Sequence, residues 1–162
     1  MSAQDQDPAV ELPPELAMPE PVSGLWRDGV HLFPLRVHWE NTDAGGIVYH
    51  SEYLKFAERA RTEMLRLADL SQQEMLKDLG VAFAVARITI DYKRPAVLDD
   101  VLVVKSTVEQ LGGAVMDLKQ TVTRKGEALA ILSVKVACLS LKEGRATRIP
   151  KGVREKMAAT VP

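Results

Sequence analysis

The sequence predicts a single α+β domain in which one long helix packs against an antiparallel sheet. Apolar residues recur at helical spacing between residues 52 and 68, and an alternating pattern broken by turn signals runs from residue 81 to residue 142. A chain of 162 residues is long enough for one such domain with a substantial core. A helix facing one layer of strands buries the apolar side of both.

The composition is that of an ordinary globular protein. Hydrophobic residues make up 46% and charged residues 27%, with a net charge of -1, so nothing favours nucleic acid as a partner. The single cysteine, Cys138, cannot form an internal disulfide, which fits a reducing compartment. The first residues of the chain lack the basic patch and apolar run typical of a signal peptide, and no apolar stretch approaches about 18 residues. We therefore expect a cytoplasmic protein without membrane insertion.

Residues 1–30 differ from the rest of the chain. They are rich in acidic residues and proline, and they contain no lysine or arginine before Arg27. Such a segment buries too little apolar surface to offset the entropy lost on ordering. We expect a flexible arm there, either a plain tail or an arm that packs on a neighbouring subunit. The domain itself is predicted over residues 31–150, and residues 151–162 read as a C-terminal tail or short helix.

The first half of the domain should hold one strand and two helices. A strand is expected from near Leu32, with Val37 and Trp39 on one face, followed by the polar loop NTDAGGIVYH. The long helix should begin after the N-cap Ser51 and end near Ala68. Its apolar stripe comprises Tyr53, Ala57, Ala60, Met64 and Leu67. A shorter helix should follow the capping-box spacing of Ser71 and Glu74 and end before Gly80.

The second half should hold four strands. The first places Ala84, Ala86, Ile88, Ile90 and Tyr92 on one face and ends before Pro95. Turns at 99–100, 111–113 and 125–127 separate the later strands, one of which puts Met116, Leu118 and Val122 together. Short turns predict an antiparallel meander, so the whole sheet should have five strands. Exposed strand edges favour edge-to-edge dimerisation.

The loop before the long helix is the strongest candidate for a reactive site. Asp43 and His50 flank a glycine-rich stretch there. Glycine lets the backbone approach a ligand, and free N–H groups at a helix start stabilise developing negative charge. A thioester carbonyl at this place would be polarised, and the Asp43 carboxylate could serve as nucleophile or general base. Asp near glycine also commonly forms a turn, so the spacing alone leaves a structural role open.

Other polar residues have both simple and functional interpretations. Arg59 and Glu63 have the i,i+4 spacing of an ion pair along one helix face. Together with Glu58 and Arg61 they indicate a solvated or inter-subunit ion-pair face, and the alternative is that Glu58 is a buried base. Basic residues that could bind the phosphates of coenzyme A, or simply be solvated, are Arg87, Lys93, Arg94, Arg124 and Lys125. Cys138 fits a small core residue. No metal-ligand spacing or phosphate-binding loop occurs, so neither His31 nor His38 is given a role.

The segment LRVHWENTDAGGIVYHSEYLKFAERARTEML resembles the signature of the hotdog-fold thioesterases. The resemblance is to the 4-hydroxybenzoyl-CoA thioesterase superfamily, nearest its Tol–Pal-associated acyl-CoA thioesterase branch, and it covers about residues 32–150. It implies a five-stranded antiparallel sheet wrapped around a long central helix, in dimers that often pair as tetramers. It also implies hydrolysis of acyl-CoA to free acid and coenzyme A without metal or cofactor.

The resemblance also assigns residues. It places the catalytic aspartate at Asp43 and the polarising backbone N–H at or next to His50, whose side chain is implicated beside the aspartate. We expect substrate contacts from Gly46, Val48, Tyr49, Tyr53 and Phe83, and coenzyme A phosphate contacts from Lys93 and Arg94. Two departures stand out. The family often has aspartate where this chain has Asn41, and Leu111-Gly112-Gly113 replaces a basic turn that some members use for coenzyme A.

Two other functions fit the same residues. Hotdog enoyl-CoA hydratases typically have an Asp-x4-His arrangement. In this chain His50 follows Asp43 by seven positions, which argues against hydration. A non-catalytic module that binds acyl-CoA or an acyl-carrier protein is the other alternative. The sequence does not distinguish short aliphatic, long-chain and aroyl substrates.

Overall fold

The computed structural model describes residues 20–161, and most of the predicted N-terminal arm lies outside them. The helices are α1 (Glu52–Leu67), α2 (Gln72–Asp78) and α3 (Lys151–Ala158), and a 3₁₀ turn covers Trp39–Asn41. The strands are β1 (Leu25–Arg27), β2 (Val30–Arg36), β3 (Val81–Tyr92), β4 (Val101–Leu111), β5 (Val115–Arg124), β6 (Glu127–Ser140) and β7 (Arg145–Ala146).

All strands pair antiparallel in one sheet of order β1-β2-β4-β5-β6-β3, with β7 beside β6. The predicted meander holds for β4, β5 and β6 and is wrong for β3, which lies at the edge next to β6 while β2 lies next to β4. Residues 93–100 form no hairpin because they bond to the segment before α1. The Val37 N–H donates to the Asp100 carbonyl and the Val48 N–H to the Ala96 carbonyl, both over 2.9 Å.

Within residues 20–161, the sheet has seven strands rather than the expected five. The additional strands are the short β1 and β7. A two-residue turn joins β1 to β2, with positive φ at Asp28 (49°) and Gly29 (74°). Asp-Gly with two positive φ values is the turn that best matches the twist of a hairpin. Because of this turn, strand structure begins at Leu25 and not near Leu32.

Trp39 is not part of the first long strand. β2 ends at Arg36, and the chain then leaves the sheet through the 3₁₀ turn. Val37 is fully buried, whereas Trp39 is 78% exposed. The prediction that these two side chains share a strand face is therefore wrong.

β3 carries a bulge at Ala86, where its register with β6 shifts. One extra residue in a strand reverses which side chains face the core. Phe83 packs on the core before the bulge and Ile88 packs on it afterwards. The predicted continuous face from Ala84 to Tyr92 therefore breaks at this point.

α1 has its predicted ends, with Ser51 as N-cap and Ala68 as C-cap. Of the predicted apolar stripe, Leu67 is not buried: it lies in the last turn and is 40% exposed. Its buried face packs on the sheet and includes Tyr53, Phe56, Ala57, Ala60 and Met64. The Ser51 side chain makes no capping hydrogen bond. In α2, the Ser71 hydroxyl does accept the Glu74 N–H. α3 buries Val153 and Met157, and Cys138 is a fully buried core residue as expected.

A buried polar group holds α1 on the sheet. Gln120 of β5 is fully buried, and its amide donates to the Ala57 carbonyl at 3.0 Å and to the Ser106 hydroxyl at 2.9 Å. Its side-chain oxygen accepts from Arg61 at 2.7 Å. With these three bonds the amide is satisfied, so its burial costs little, and the position of the helix along the sheet is fixed.

Candidate active site

The loop that carries Asp43 is a small closed hairpin. Thr42 and Val48 form a bridge at its base, and the Asp43 N–H donates to the Ile47 carbonyl at 2.9 Å. The Gly46 N–H donates to the Asp43 carbonyl at 3.0 Å. Gly46 has a φ of +78°, a backbone conformation that residues with a side chain rarely adopt. The backbone conformation therefore requires glycine at this position.

Asp43 both forms a turn and leaves a carboxylate oxygen available. Its Oδ1 accepts the Gly45 N–H at 2.8 Å, which is the turn role that the spacing had left open. Within residues 20–161, Oδ2 accepts no hydrogen bond. The side chain is exposed and lines the cleft described below. One oxygen therefore orients the group while the other can react.

The start of α1 presents free N–H groups. The Glu52 N–H donates to the Tyr49 carbonyl at 2.9 Å, which places His50 and Ser51 at the corner of a turn. No acceptor in the described part of the chain takes the backbone N–H of either corner residue. Free donors at a helix start form a site for an oxyanion or a polarised carbonyl.

Aromatic side chains orient His50. The imidazole and the Tyr49 ring have centroids 4.3 Å apart, and the Tyr92 ring meets the imidazole edge-on at 6.5 Å. The Tyr92 hydroxyl donates to the His50 carbonyl at 2.8 Å. Tyr53 lies edge-on to Tyr92 at 5.6 Å, so all three tyrosines of the chain meet at this place.

Residues 93–100 form the opposite wall, and they are tied to the helix and to the sheet. The buried Tyr53 hydroxyl accepts the Ala96 N–H at 3.0 Å. The Asp100 carboxylate accepts the Val97 N–H at 2.9 Å and pairs with Arg124 at 2.6 Å. Burial alone would raise the pKa of the Asp100 carboxyl, but these two partners hold that pKa below its usual range. Asp100 therefore stays charged and the wall stays fixed.

These elements line an open cleft of about 390 Å³. It brings together most of the predicted site residues, and its lining comprises Asp43, Ile47, Val48, Tyr49, His50, Tyr53, Tyr92, Lys93, Arg94 and Pro95. Phe83 lies elsewhere, in a cavity of about 30 Å³ between α1 and the sheet. Gly46 shapes the loop and does not line the cleft.

Basic residues differ in how far they are neutralised. In the cleft, Arg94 pairs with Glu127 at 2.6 Å, whereas Lys93 has no ion-pair partner among residues 20–161. Arg124 pairs with Asp100 and supports the wall rather than lining the cleft. Arg87 lies in a separate hollow of about 340 Å³ on the sheet.

The acidic residues of α1 are not a second reactive centre in this structure. Glu58 is exposed and pairs with Arg61, so it is not a buried base. Glu63 pairs with Arg66 and not with Arg59, contrary to the predicted i,i+4 pair. It also accepts a 2.6 Å hydrogen bond from the Ser23 hydroxyl. Both ion pairs form at i,i+3 spacing.

The sequence prediction missed Tyr92, Ile47 and Pro95 in the cleft. Tyr92 appeared only as one member of an alternating strand, and it reaches His50 because β3 ends beside the helix start. A tyrosine as the last residue of a strand directly before Lys-Arg-Pro was the available signal. Tyrosine pairs an apolar ring with a polar tip, which is typical of binding sites.

Residues 20–161 contain no group of three or more His, Cys, Asp or Glu side chains close enough to hold a metal ion. In the same range, no helix has the length and apolarity needed to cross a membrane.

An antiparallel sheet packed on one long helix, with a carboxylate-bearing loop ahead of that helix, defines a hotdog thioesterase domain. The chain belongs to the thioesterase-like superfamily, which its sequence matches over residues 37–157. The α+β hotdog architecture implied by the sequence resemblance is therefore confirmed.

Several named proteins are similar to this chain over most of its length. It is 44% identical to the acyl-CoA thioesterase YbgC of Haemophilus influenzae over 122 residues, 75% of this chain and 90% of that protein. It is 33% identical to the long-chain acyl-CoA thioesterase FadM of Escherichia coli, over 78% of this chain and 96% of that one. The crystal structure of a probable thioesterase from Bartonella henselae superposes with a TM-score of 0.71 at 31% identity, covering 75% of this chain and 99% of that one.

Proposed function

We propose that this protein hydrolyses acyl-CoA thioesters to the free acid and coenzyme A. The observation that carries the proposal is that the Asp43 carboxylate and the free N–H groups of His50 and Ser51 belong to one short segment beside one cleft. An anionic oxygen and a pair of unpaired donors are what acyl transfer requires. The acyl-CoA thioesterases named among the relatives support the same activity.

In the proposed reaction, the thioester carbonyl oxygen accepts hydrogen bonds from the N–H groups at the start of α1. Asp43 Oδ2 either attacks the carbonyl carbon or takes a proton from a water that attacks it. A carbon–oxygen bond forms, the carbon–sulfur bond breaks, and the coenzyme A thiolate leaves and takes up a proton. In the nucleophilic route, water then hydrolyses the acyl-aspartyl anhydride. The His50 imidazole helps to position water or substrate.

The acyl group is proposed to contact the apolar part of the cleft. Val48, Tyr49 and Tyr53 line that part, and Phe83 would contribute only through an acyl group that extends towards its separate cavity. Lys93, with Arg94 beside it, is the proposed contact for coenzyme A phosphates. Coenzyme A enters only as part of the substrate, and no further cofactor is proposed.

We further propose that the protein works in the cytoplasm as a homo-oligomer, either a dimer or a tetramer. The outer edge of the long β3 pairs with no other described strand. Apolar residues around the open cleft are also exposed, among them Ile47 at 41% and Val97 at 41%. A second copy that pairs at this edge would cover both features. Sedimentation velocity should show a species larger than a monomer, and a Val85→Lys variant at the β3 edge should weaken it.

The experiment that tests the proposed activity is thiol release from acetyl-, hexanoyl-, palmitoyl- and benzoyl-CoA. Stoichiometric thiol release on at least one of these substrates is expected, with free acid as the second product. Binding without thiol release would instead favour a module that binds acyl-CoA or an acyl-carrier protein. Hydration of crotonyl-CoA without thiol release would favour the hydratase alternative. Either result would contradict the proposal.

A further inference from the structure

Asn41 joins the two ends of the reactive loop. It is only 2% exposed. Its Oδ1 accepts the His38 N–H at 2.8 Å, and its main-chain carbonyl accepts the Tyr49 N–H at 2.9 Å. Since Asp43 follows Asn41 by two residues and His50 directly follows Tyr49, this one residue links the segment that carries Asp43 to the segment that carries His50.

The second side-chain hydrogen bond of Asn41 is with the first residue of α1. Its Nδ2 donates a 2.8 Å hydrogen bond to Oε2 of Glu52, which is 7% exposed. Lys55 holds the other carboxylate oxygen of Glu52 at 2.5 Å. Burial alone would raise the pKa of the Glu52 carboxyl, but Lys55, Asn41 and the nearby Arg59 together hold that pKa below its usual range. Glu52 is therefore an anion that needs a donor at position 41.

We propose that Asn41 is a positioning residue for the reaction and that it acts through Glu52. One of the two positions 41 and 52 must carry an amide and the other a carboxylate. The inference rests on the proposed thioester hydrolysis, because the groups that it positions are the Asp43 carboxylate and the N–H groups of residues 50 and 51. It also gives a reason for the asparagine, since an aspartate at 41 would face the Glu52 carboxylate across a hydrogen-bonding distance. Two such charges cannot both be retained without displacing the loop.

The test is a cycle of Asn41→Asp, Glu52→Gln and the double variant, measured as kcat and KM between pH 5.5 and 8. Asn41→Asp should lower kcat about 10- to 100-fold at pH 8, the cost expected for a displacement of roughly 1 Å at the reaction centre. Its activity relative to the parent protein should recover as pH falls, because one proton can then be shared between the two carboxyl groups. The double variant restores one amide and one carboxylate, so it should stay within about threefold of the parent protein at every pH.

Two comparisons separate positioning from folding. Asn41→Ala loses the two side-chain hydrogen bonds without adding a charge, so its loss of activity should not recover at low pH. If Asn41→Asp alone does not fold, the double variant still decides the matter, because the proposal requires it to be both folded and active. Thermal unfolding of each variant identifies those that are folded.

The inference is overturned if Asn41→Asp retains the parent kcat at pH 8, or if a folded double variant is no more active than Asn41→Asp. Asp43→Asn, assayed on the same acyl-CoA panel, distinguishes this failure from failure of the proposed function. If the parent protein is active and Asp43→Asn is not, an absent coupling between positions 41 and 52 removes only this inference. If the parent protein releases thiol from none of the four substrates, the proposed function falls and this inference falls with it.

Discussion

The Tyr92 hydroxyl donates a 2.8 Å hydrogen bond to the His50 carbonyl across 42 positions of sequence. Tyr92 is the last residue of β3, an edge strand of the sheet, and His50 lies at the start of α1. The bond fixes the peptide group between His50 and Ser51, whose N–H is one of the two free donors at the proposed oxyanion site. A side chain from the sheet thereby orients the backbone that is proposed to polarise the thioester.

Tyr92→Phe should lower kcat about three- to tenfold and leave KM nearly unchanged. The substitution removes a hydrogen bond with a net value of about 0.5–1.5 kcal/mol, which orients the His50–Ser51 peptide. The phenyl ring would keep its edge contact with Tyr53, so thermal stability should change little. Steady-state kinetics on the best acyl-CoA substrate would check this, and an unchanged kcat would show that the bond does not orient the site.

Tyr53→Phe should lower the free energy of unfolding by about 1–3 kcal/mol. The Tyr53 side chain is 2% exposed, and its hydroxyl accepts the buried Ala96 N–H, which would be left without a partner. Tyr49→Phe is the matched control, because Tyr49 is 47% exposed and its change should stay within about 0.5 kcal/mol. Urea unfolding of both variants measures the difference, and equal effects would contradict a role for the Tyr53 hydroxyl in holding the cleft wall.

His31 should make the protein less stable in mild acid. Its ring is fully buried, Nε2–H donates to the Ser23 carbonyl at 2.8 Å, and Nδ1 has no partner in residues 20–161. Burial lowers the pKa of His31 from its ordinary value of 6.5, although the Ser23 carbonyl and Glu63 partly oppose this shift. As pH falls, His31 is therefore protonated near pH 6.5 in the unfolded chain but only at a lower pH in the folded chain. The stability linked to His31 is complete above pH 6.5 and is lost as pH falls below it, until the folded state is also protonated.

The measurement for His31 is urea unfolding at pH 7.5 and pH 5.5, with His31→Gln as the comparison. The glutamine amide can still donate to the Ser23 carbonyl, but it does not titrate. The parent protein should lose stability relative to the variant by up to about 1.4 kcal/mol per pH unit below 6.5. An identical pH dependence in both proteins would show that His31 does not resist protonation in the folded state.

His50→Ala should reduce kcat by about tenfold, less than removal of the Asp43 carboxylate does. The substitution removes the imidazole but keeps the backbone N–H, which is the contribution that the geometry favours. The comparison uses the same acyl-CoA for both variants, with the folded state of each verified by thermal unfolding. A loss as large as that of Asp43→Asn would mean that the imidazole itself is essential.

The sequence predicted well those elements in which apolar residues recur at a regular helical or alternating spacing. α1 has its expected ends because an apolar stripe at helical spacing must face the sheet. The central strands β4, β5 and β6 follow from alternation and short turns. Alternation does not encode a strand's neighbour, so it could not show that β3 pairs with β6, and it could not foresee the bulge at Ala86. The Asp28-Gly29 pair is typical of a hairpin turn, but the sequence prediction did not include this hairpin.

The candidate site was predictable in part. The segment from Asp43 to His50 is continuous, so its pattern was visible in the sequence, and spacing alone left Asp43 as a turn former or a reactive group. The structure shows the turn and leaves the second carboxylate oxygen available. Tyr92 and the network around Asn41 depend on contacts between distant or differently oriented segments. Sequence periodicity does not report such contacts.

The role of Asp43 in the proposed hydrolysis is tested by the kcat of Asp43→Asn on the best acyl-CoA substrate. Asparagine keeps an Oδ1 that can accept the Gly45 N–H, so the turn should survive while the reactive carboxylate is lost. We expect a folded variant with thermal stability near that of the parent protein and a kcat lower by on the order of 10²–10⁴ or more. A folded Asp43→Asn variant with nearly unchanged kcat would contradict this role, because Asp43 would then be only a turn former.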